Sequence, residues 1–202
     1  ADVGLLQKTA ENMLQTLNGI LDYGKIKSGR MRLNPVAFNI GECIKSIIEI
    51  FTPLAQKNGI ELSCDLSGLS APSINMDPVL IKQVVFNLLN NAVKVAPNGK
   101  IRLTVSSDDD KRLIRVAVAD TGPGIPEDIK ETLFDAYVQA DPMKSKGTGL
   151  GLTISKNIIS FLGGTIRADN NPEGGAVFSF NSLRTRRTKR HCHIAAEHIV
   201  DR

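Results

Sequence analysis

The chain has 202 residues, 42% of them hydrophobic and 23% charged, which is enough for one sizeable globular domain. No apolar run approaches the roughly 20 residues needed to cross a bilayer, and the first residues lack a secretory-signal pattern, so we expect neither a membrane span nor export. The net charge is +4, and residues 184–202 carry the whole excess. A basic tail rather than a basic face argues against nucleic-acid binding.

The three cysteines, Cys43, Cys64 and Cys192, are odd in number and have no regular spacing. A chain of this size has no need of disulfides to stabilise its core. We therefore expect free thiols in a reducing compartment.

The first residues contain a heptad pattern. Apolar or small residues recur in alternating steps of three and four, at Val3, Leu6, Ala10, Met13, Leu17, Ile20 and Gly24. Leu14 and Leu21 widen the apolar stripe, which favours a helix packed in a bundle. The alternative is a helix that folds back on its own domain.

The rest of the chain alternates between helical and strand patterns. The predicted order is helix 40–57, strand 60–66, helix 77–95, a hairpin of 101–105 with 114–118, a short helix 127–133, an irregular segment 135–147, helix 150–162, and a hairpin of 164–169 with 175–181. Asp77-Pro78 is a typical helix start, with an N-cap and a first-turn proline. This mixture predicts an α+β domain of two layers.

Three polar residues share one face of the helix 77–95. Asn87, Asn91 and Lys94 stand at positions i, i+4 and i+7, while Phe86, Leu89 and Val93 form a core stripe on another face. Amide oxygens can bind Mg²⁺ without adding negative charge beside a triphosphate, and a lysine can reach a phosphate. An ordinary exposed helix face explains the pattern equally well.

The hexapeptide DTGPGI, residues 120–125, follows the strand 114–118. Pro123-Gly124 suits a type II turn, and Gly122 allows a ligand to approach the backbone closely. The Asp120 carboxylate could accept a hydrogen bond from an amino group such as that of adenine. Taken alone, the hexapeptide is more typical of a plain loop.

A second glycine-rich turn, GTGLGL at residues 147–152, opens the helix 150–162. Amide groups at the start of a helix bind phosphate. The turn matches neither GxxxxGK[ST] nor a GxGxxG within a βαβ unit, so the P-loop and Rossmann folds are disfavoured.

Residues 75–182 resemble the catalytic ATP-binding domain of two-component sensor histidine kinases, in the GHKL superfamily. NLLNNAVK resembles the N box, DTGPGI and GTGLGL the two glycine boxes, and LFDAYVQAD the F box. The upstream sequence resembles the second helix of the kinases' dimerisation and phosphoacceptor hairpin. The resemblance implies three parts: a partial hairpin helix and linker at 1–33, a Bergerat-fold domain at 34–183, and a basic tail at 184–202. This fold is a two-layer α/β sandwich, with a mixed, mostly antiparallel sheet and helices on one face.

The resemblance also implies roles for single residues. It makes Asn91 a ligand of Mg²⁺ and places Asn87 and Lys94 beside the phosphates. It also implies that Asp120 recognises the amino group of adenine. Residues 135–146 would form the ATP lid. The remaining implied ATP-binding residues are Gly122, Gly124, Ile125, Tyr137, Lys146, Gly147, Thr148, Gly149, Leu150 and Gly151.

The implied reaction is transfer of the ATP γ-phosphate to a histidine. Family members that hydrolyse ATP have a glutamate where this chain has Asn87, and an amide cannot act as a general base, so hydrolysis is disfavoured. No helix carries the phosphoacceptor histidine motif, so we expect the isolated chain to be inactive in autophosphorylation. Two alternatives are a GHKL serine kinase of the anti-sigma-factor type and a nucleotide-sensing scaffold without transfer activity.

The implied partners are ATP, the histidine-bearing hairpin of the same protein, and a response regulator or fused receiver domain. The full-length protein would be a cytoplasmic homodimer, or the cytoplasmic part of a membrane-bound receptor.

Some positions depart from the family pattern. Val95 and Ala96 replace the usual aromatic residue and threonine, so an aromatic contact to the nucleotide is lost. Lys144 and Lys146 either reach the phosphates or keep the lid solvated, and we favour the second. The tail residues His191, His193 and His198 lack the acceptor context, and we expect a solvated tail rather than an acceptor or a metal cluster.

Overall fold

The computed structural model describes residues 24, 28, 32–70, 72–109, 113–139 and 149–183. The predicted heptad helix, apart from Gly24, and the basic tail lie outside the described residues. Among the helices that are described, none combines the length and the apolar character that a membrane crossing requires.

The domain contains three α-helices and seven strands in the described ranges. The helices are α1 (Ile40–Lys57), α2 (Pro78–Val95) and α3 (Gly151–Phe161). The strands are β1 (Val36–Asn39), β2 (Glu61–Gly68), β3 (Ser73–Met76), β4 (Lys100–Asp108), β5 (Leu113–Asp120), β6 (Thr165–Asn170) and β7 (Ala176–Leu183). A 3₁₀ helix covers Glu127–Ile129.

Five strands form the main sheet in the order β2-β4-β5-β7-β6. Strands β2 and β4 are parallel, and the other three pairs are antiparallel. The predicted hairpin of β4 and β5 is confirmed, with Ile101 opposite Asp120 and Val105 opposite Val116. The closing hairpin of β6 and β7 is also confirmed.

The three helices cover one face of this sheet and bury its alternate residues. Ile101, Leu103 and Val118 are fully buried, whereas Arg102 and Arg115 on the opposite face are exposed. Such alternation is typical of an antiparallel sheet with one solvated face. The architecture is therefore the predicted α+β sandwich of two layers.

Two features differ from the prediction. Strands β1 and β3 pair antiparallel in a separate small sheet, with Val36 opposite Met76. Each has only four residues, too few for a clear alternating pattern. The helix predicted over 127–133 is wrong in length, because only Glu127–Ile129 is helical and residues 130–134 form turns. Glu127 and Asp128 place acidic residues in the first turn of this 3₁₀ helix, but no side chain caps its N-terminus.

Candidate nucleotide site

Helix α2 is fixed at its start by Asp77. One carboxylate oxygen accepts hydrogen bonds from the Val79 and Leu80 amides, at 3.0 and 3.4 Å. The other accepts from the Asn34 amide at 3.0 Å. Asp77 is 6% exposed, and it caps the helix while also tying the preceding linker to it. The N-cap predicted from Asp77-Pro78 is confirmed.

The amide-bearing face of α2 is open, as the sequence predicts. Asn87 and Asn91 are half-buried and Lys94 is exposed, whereas Leu89 and Val93 lie in the core. Phe86 is partly buried and makes an edge-to-face contact with Phe51, with ring centroids 5.2 Å apart. Among the described residues, no hydrogen bond or ion pair occupies the side chain of Asn91 or Lys94. Both remain available to a ligand.

Asn87 differs from its neighbours because it contacts the first turn of α3. Its Nδ2 donates to the Gly151 carbonyl at 3.2 Å and to Ser155 Oγ at 3.3 Å. Ser155 Oγ in turn donates to the Gly151 carbonyl at 2.9 Å. Sequence reasoning missed Ser155, although a serine inside the apolar run of α3 is the kind of signal that marks a buried polar contact.

Asp120 lies at the end of β5 and is 2% exposed. Its Oδ1 accepts hydrogen bonds from the Gly122 amide at 2.8 Å and the Ala176 amide at 3.4 Å. Its Oδ2 is buried with no hydrogen-bond partner among the described residues. Burial raises the pKa of this carboxyl, and the two amide donors oppose that shift. An unpartnered buried acceptor of this kind suits a ligand that brings its own N–H group.

The loop after Asp120 is closely packed against the Val95 carbonyl and the side chains of Asp120 and Asn170. A Cβ at Gly122 would lie 2.8 Å from both Asp120 Oδ1 and the Val95 carbonyl oxygen. Gly124 has φ of +80°, in agreement with the predicted type II turn, and a Cβ there would lie 2.9 Å from Asn170 Oδ1. Only glycine fits at these two positions.

Ile125 ends this loop and is held by a residue that the sequence did not indicate. Its amide donates to Asn170 Oδ1 at 2.6 Å, and its carbonyl accepts from Asn170 Nδ2 at 2.9 Å. Ile125 is 7% exposed. The last residue of β6 thereby holds the end of the glycine loop.

The second glycine turn is described only in part. Lys146, Gly147 and Thr148 lie outside the described residues, as do residues 140–146 of the predicted lid. Gly149 has φ of +68°, and its carbonyl accepts from the Tyr137 amide at 3.1 Å. A Cβ at Gly149 would lie 2.7 Å from Tyr137 Cα. Close backbone approach therefore requires glycine here too.

Tyr137 and Leu150 complete the described part of the predicted set. Tyr137 is 73% exposed and has φ of +69°. Leu150 is 8% exposed and precedes the first residue of α3. Leu150 therefore packs in the core, while the Tyr137 ring stays accessible.

Helix α2 is the element that brings the three motifs together. The first glycine loop meets its end, where Gly122 approaches Val95, and the second glycine turn meets its middle, where Asn87 bonds Gly151. These contacts join residues far apart in the chain. They form a site with a buried acceptor at one end and open amides at the other.

The side-chain oxygens of α2 at the open end of the site could contribute to binding of a divalent cation such as Mg²⁺, provided that most of its ligands come from elsewhere. The side chains of Asn87 and Asn91 offer neutral oxygens, which suit Mg²⁺ when phosphate oxygens supply the negative charge. In the described ranges no group of three or more His, Cys, Asp or Glu residues could hold a metal alone.

A family model described as histidine kinase-, DNA gyrase B- and HSP90-like ATPase matches residues 76–187. The Sensor protein GacS of Pseudomonas syringae pv. syringae is 34% identical over 182 residues, which cover 87% of this chain and 20% of that protein. The signal transduction histidine-protein kinase BarA of Escherichia coli K12 is 31% identical over 182 residues, with the same shares. The chain thus spans about a fifth of the length of these relatives.

Solved structures of histidine kinases are similar to this chain in fold. Full-length ShkA in complex with AMPPNP has a TM-score of 0.79 and 29% identity, covering 91% of this chain and 38% of that one. The catalytic domain of the histidine kinase ThkA has a TM-score of 0.66 and 32% identity, covering 75% of this chain and 97% of that one. The chain therefore belongs to the histidine kinase-, DNA gyrase B- and HSP90-like ATPase family, with the fold of a histidine kinase catalytic domain.

Proposed function

We propose that this chain is the ATP-binding catalytic part of a sensor histidine kinase, which transfers the ATP γ-phosphate to a histidine on a separate dimerisation hairpin. The observation that carries the proposal is Asp120 Oδ2, which is buried where the first glycine loop meets α2 and has no hydrogen-bond partner in the part of the chain that the structure describes. The relatives GacS and BarA, both sensor kinases, support the same reading.

The base of the nucleotide would bind at the Asp120 end. Asp120 Oδ2 would accept a hydrogen bond from the exocyclic amine of adenine, since adenine presents an N–H₂ donor. Gly122 and Gly124 leave no side chain between the ring and the loop backbone, and Ile125 supplies an apolar wall. A neighbouring structure, ShkA, contains AMPPNP, an ATP analogue.

The phosphates would lie between α2 and the start of α3. Asn91 would hold Mg²⁺, and Lys94 would reach a phosphate oxygen from the exposed side of α2. The Gly149, Leu150 and Gly151 amides, with those of the preceding Gly147 and Thr148, would donate to phosphate oxygens at the positive end of α3. Mg²⁺ would neutralise charge on the transferred phosphate when bound.

Transfer rather than hydrolysis follows from Asn87. An amide cannot accept the proton of an attacking water, so the site lacks a general base at that position. Transfer to a supplied nucleophile mainly needs positioning and charge stabilisation, which α2 and the α3 amides provide. The proposed partners are thus the histidine-bearing hairpin of a homodimer and a response regulator or receiver domain. The complex of ThkA with the response regulator TrrA is a precedent in a structural relative.

The decisive experiment supplies an intact acceptor hairpin from a related sensor kinase in trans, with γ-labelled ATP and Mg²⁺. We expect label on the hairpin that is stable in alkali and lost in acid, as for a phosphohistidine. Omitting the hairpin should abolish both labelling and phosphate release. A hairpin with its acceptor histidine replaced by glutamine is the matched control.

Other results would identify other functions. Acid-stable label on a serine substrate would favour the alternative of an anti-sigma-factor type of kinase. Tight Mg²⁺-ATP binding without label on any hairpin would favour a nucleotide-sensing scaffold. Steady phosphate release from the isolated chain would contradict the role given to Asn87.

A further inference from the structure

Ser155 connects the amide-bearing helix α2 to the first turn of α3. It is fully buried, and its Oγ lies 3.3 Å from Asn87 Nδ2 and 2.9 Å from the Gly151 carbonyl oxygen. Asn87 Nδ2 is also 3.2 Å from that carbonyl. The Asn87 amide, the Gly151 carbonyl and the Ser155 hydroxyl therefore form one closed network. Gly151 and Ser155 lie 64 and 68 positions after Asn87 in the chain.

The donors and acceptors of this network fit together in one way. A serine hydroxyl has a single hydrogen, and it points to the Gly151 carbonyl, which can only accept. Ser155 Oγ then accepts from Asn87 Nδ2. The two acceptors lie 2.9 Å apart on the same side of Asn87 Nδ2, so the N–H₂ group of this amide faces α3 and Oδ1 is directed elsewhere.

A rotated amide would not satisfy the same partners. It would place Oδ1 against the Gly151 carbonyl oxygen, leaving two acceptors in contact without a hydrogen between them. An unmade hydrogen bond in a buried network is costly. Ser155 therefore helps to select one orientation of the amide. Asn87 Oδ1 makes no hydrogen bond to any described residue, and it shares its helix face with Asn91.

We propose that Ser155 is a positioning residue for cation binding, because it holds Asn87 so that its oxygen, and not its N–H₂ group, faces the magnesium-phosphate end of the site. The inference rests on the proposed binding of Mg²⁺ and a nucleoside triphosphate here. It assigns Asn87 the role of an acceptor toward a cation or its bound water, rather than that of a donor to phosphate. Ser155 itself contacts no ligand.

The network can be tested first without nucleotide. In ¹⁵N-labelled protein, the side-chain N–H₂ protons of Asn87 should exchange slowly with water. Ser155→Ala should speed the exchange, and Ser155→Thr, which keeps the hydroxyl, should restore slow exchange. Ser160→Ala is the matched control, since Ser160 lies exposed on the same helix. Unchanged exchange in Ser155→Ala would overturn the proposal.

The second measurement is titration with AMPPNP, once with Mg²⁺ and once with a chelator. Ser155→Ala should weaken binding about 2- to 10-fold with Mg²⁺, the effect of one neutral hydrogen bond, and should leave the affinity in chelator unchanged. Ser160→Ala should change neither value. An equal loss in both conditions, or no loss, would overturn the positioning role while leaving the proposed function in place. A parent chain that binds no nucleotide in either condition would overturn both proposals.

Discussion

The two ends of the candidate site are built in different ways. At the base end, Asp120 is buried and held by the Gly122 and Ala176 amides, and glycines pack against backbone atoms. At the phosphate end, Asn91 and Lys94 project from an open helix face without partners among the described residues. Contacts to backbone atoms therefore determine the shape of the base end, whereas the side chains of α2 provide the polar groups of the phosphate end.

This difference has consequences for stability. A carboxylate with an unpartnered buried oxygen destabilises the ligand-free fold, since burial of charge without full pairing is costly. The half-buried amides of Asn87 and Asn91 are neutral and impose no such cost. Substitutions at the base end should therefore alter both folding and binding, whereas those at the phosphate end should alter binding alone.

The largest expected effect is that of Gly175→Ala, at the turn beside the base end. A Cβ at Gly175 would overlap the Asp120 backbone carbonyl, and its φ is +86°. We expect a loss of about 3 kcal/mol or more in the free energy of unfolding, from overpacking and backbone strain together. Chemical denaturation measures it.

Gly174→Ala is the matched control for this prediction. Gly174 has φ of +100°, but a Cβ there has no atom within 4 Å. Strain alone should cost about 1 kcal/mol. Equal losses in the two variants would show that close packing on Asp120 has no energetic weight.

Asp120→Asn should separate folding from binding at the base end. The variant places an N–H₂ group where Oδ2 meets the adenine amine, so ATP affinity should fall by about 10- to 150-fold, the effect of a lost charged hydrogen bond of about 1.5–3 kcal/mol. GTP should lose less, because guanine presents its amine elsewhere. Titration calorimetry compares the two nucleotides, and identical losses would indicate a general structural role.

The same variant has a defined pH signature in its stability. Burial raises the pKa of Asp120, so the folded parent binds this proton more tightly than the unfolded chain and loses stability as pH rises from the ordinary aspartate range to the raised pKa. The stability of Asp120→Asn relative to the parent should therefore increase over that window and then level off. A relative stability that decreased with pH would contradict the raised pKa.

At the phosphate end, Asn91→Ala should act on binding alone. Loss of a cation ligand should lower the Mg²⁺-dependent part of AMPPNP affinity by about 10- to 100-fold, with no change in chelator and no loss of thermal stability, since alanine is a better helix former than asparagine. Asn90→Ala, one position away on α2, controls for helix content. A variant as responsive to Mg²⁺ as the parent would remove Asn91 from the cation site.

The smallest effect concerns the N-terminal cap of α2, which lies outside both ends of the site. Asp77→Asn keeps one oxygen to cap α2 but presents an N–H₂ group to the Asn34 amide. We expect a loss of about 1 kcal/mol in stability. Asp77→Ala, which also removes the cap, should lose about 1 kcal/mol more. Equal losses in both variants would show that the linker contact dominates.

Local signals predicted much of the fold. The helix expected over 40–57 is the observed α1, Ile40–Lys57, and the helix opened by Asp77-Pro78 is α2, Pro78–Val95. Caps, prolines and hydrophobic periodicity act within a few residues, so they can be read from the chain itself. The short pair of β1 and β3 escaped prediction because its stability comes from pairing across more than 30 residues.

The sequence by itself determined the identity and order of the site motifs: the amides of α2, the aspartate and glycines after β5, and the glycines before α3. Their family follows from that order. Residues 140–148, which hold most of the predicted lid and part of the second glycine turn, lie outside the described residues, so their roles stay predictions.

Only the tertiary structure decided how these residues are held. Long-range packing leaves one oxygen of Asp120 buried with no hydrogen-bond partner among the described residues. It also lets Asn170 bond both backbone groups of Ile125, and it places Ser155 where it orients Asn87. Hydrogen-bond partners 45 to 68 residues apart leave no periodic trace in the chain, because their geometry exists only once the sheet and helices have assembled.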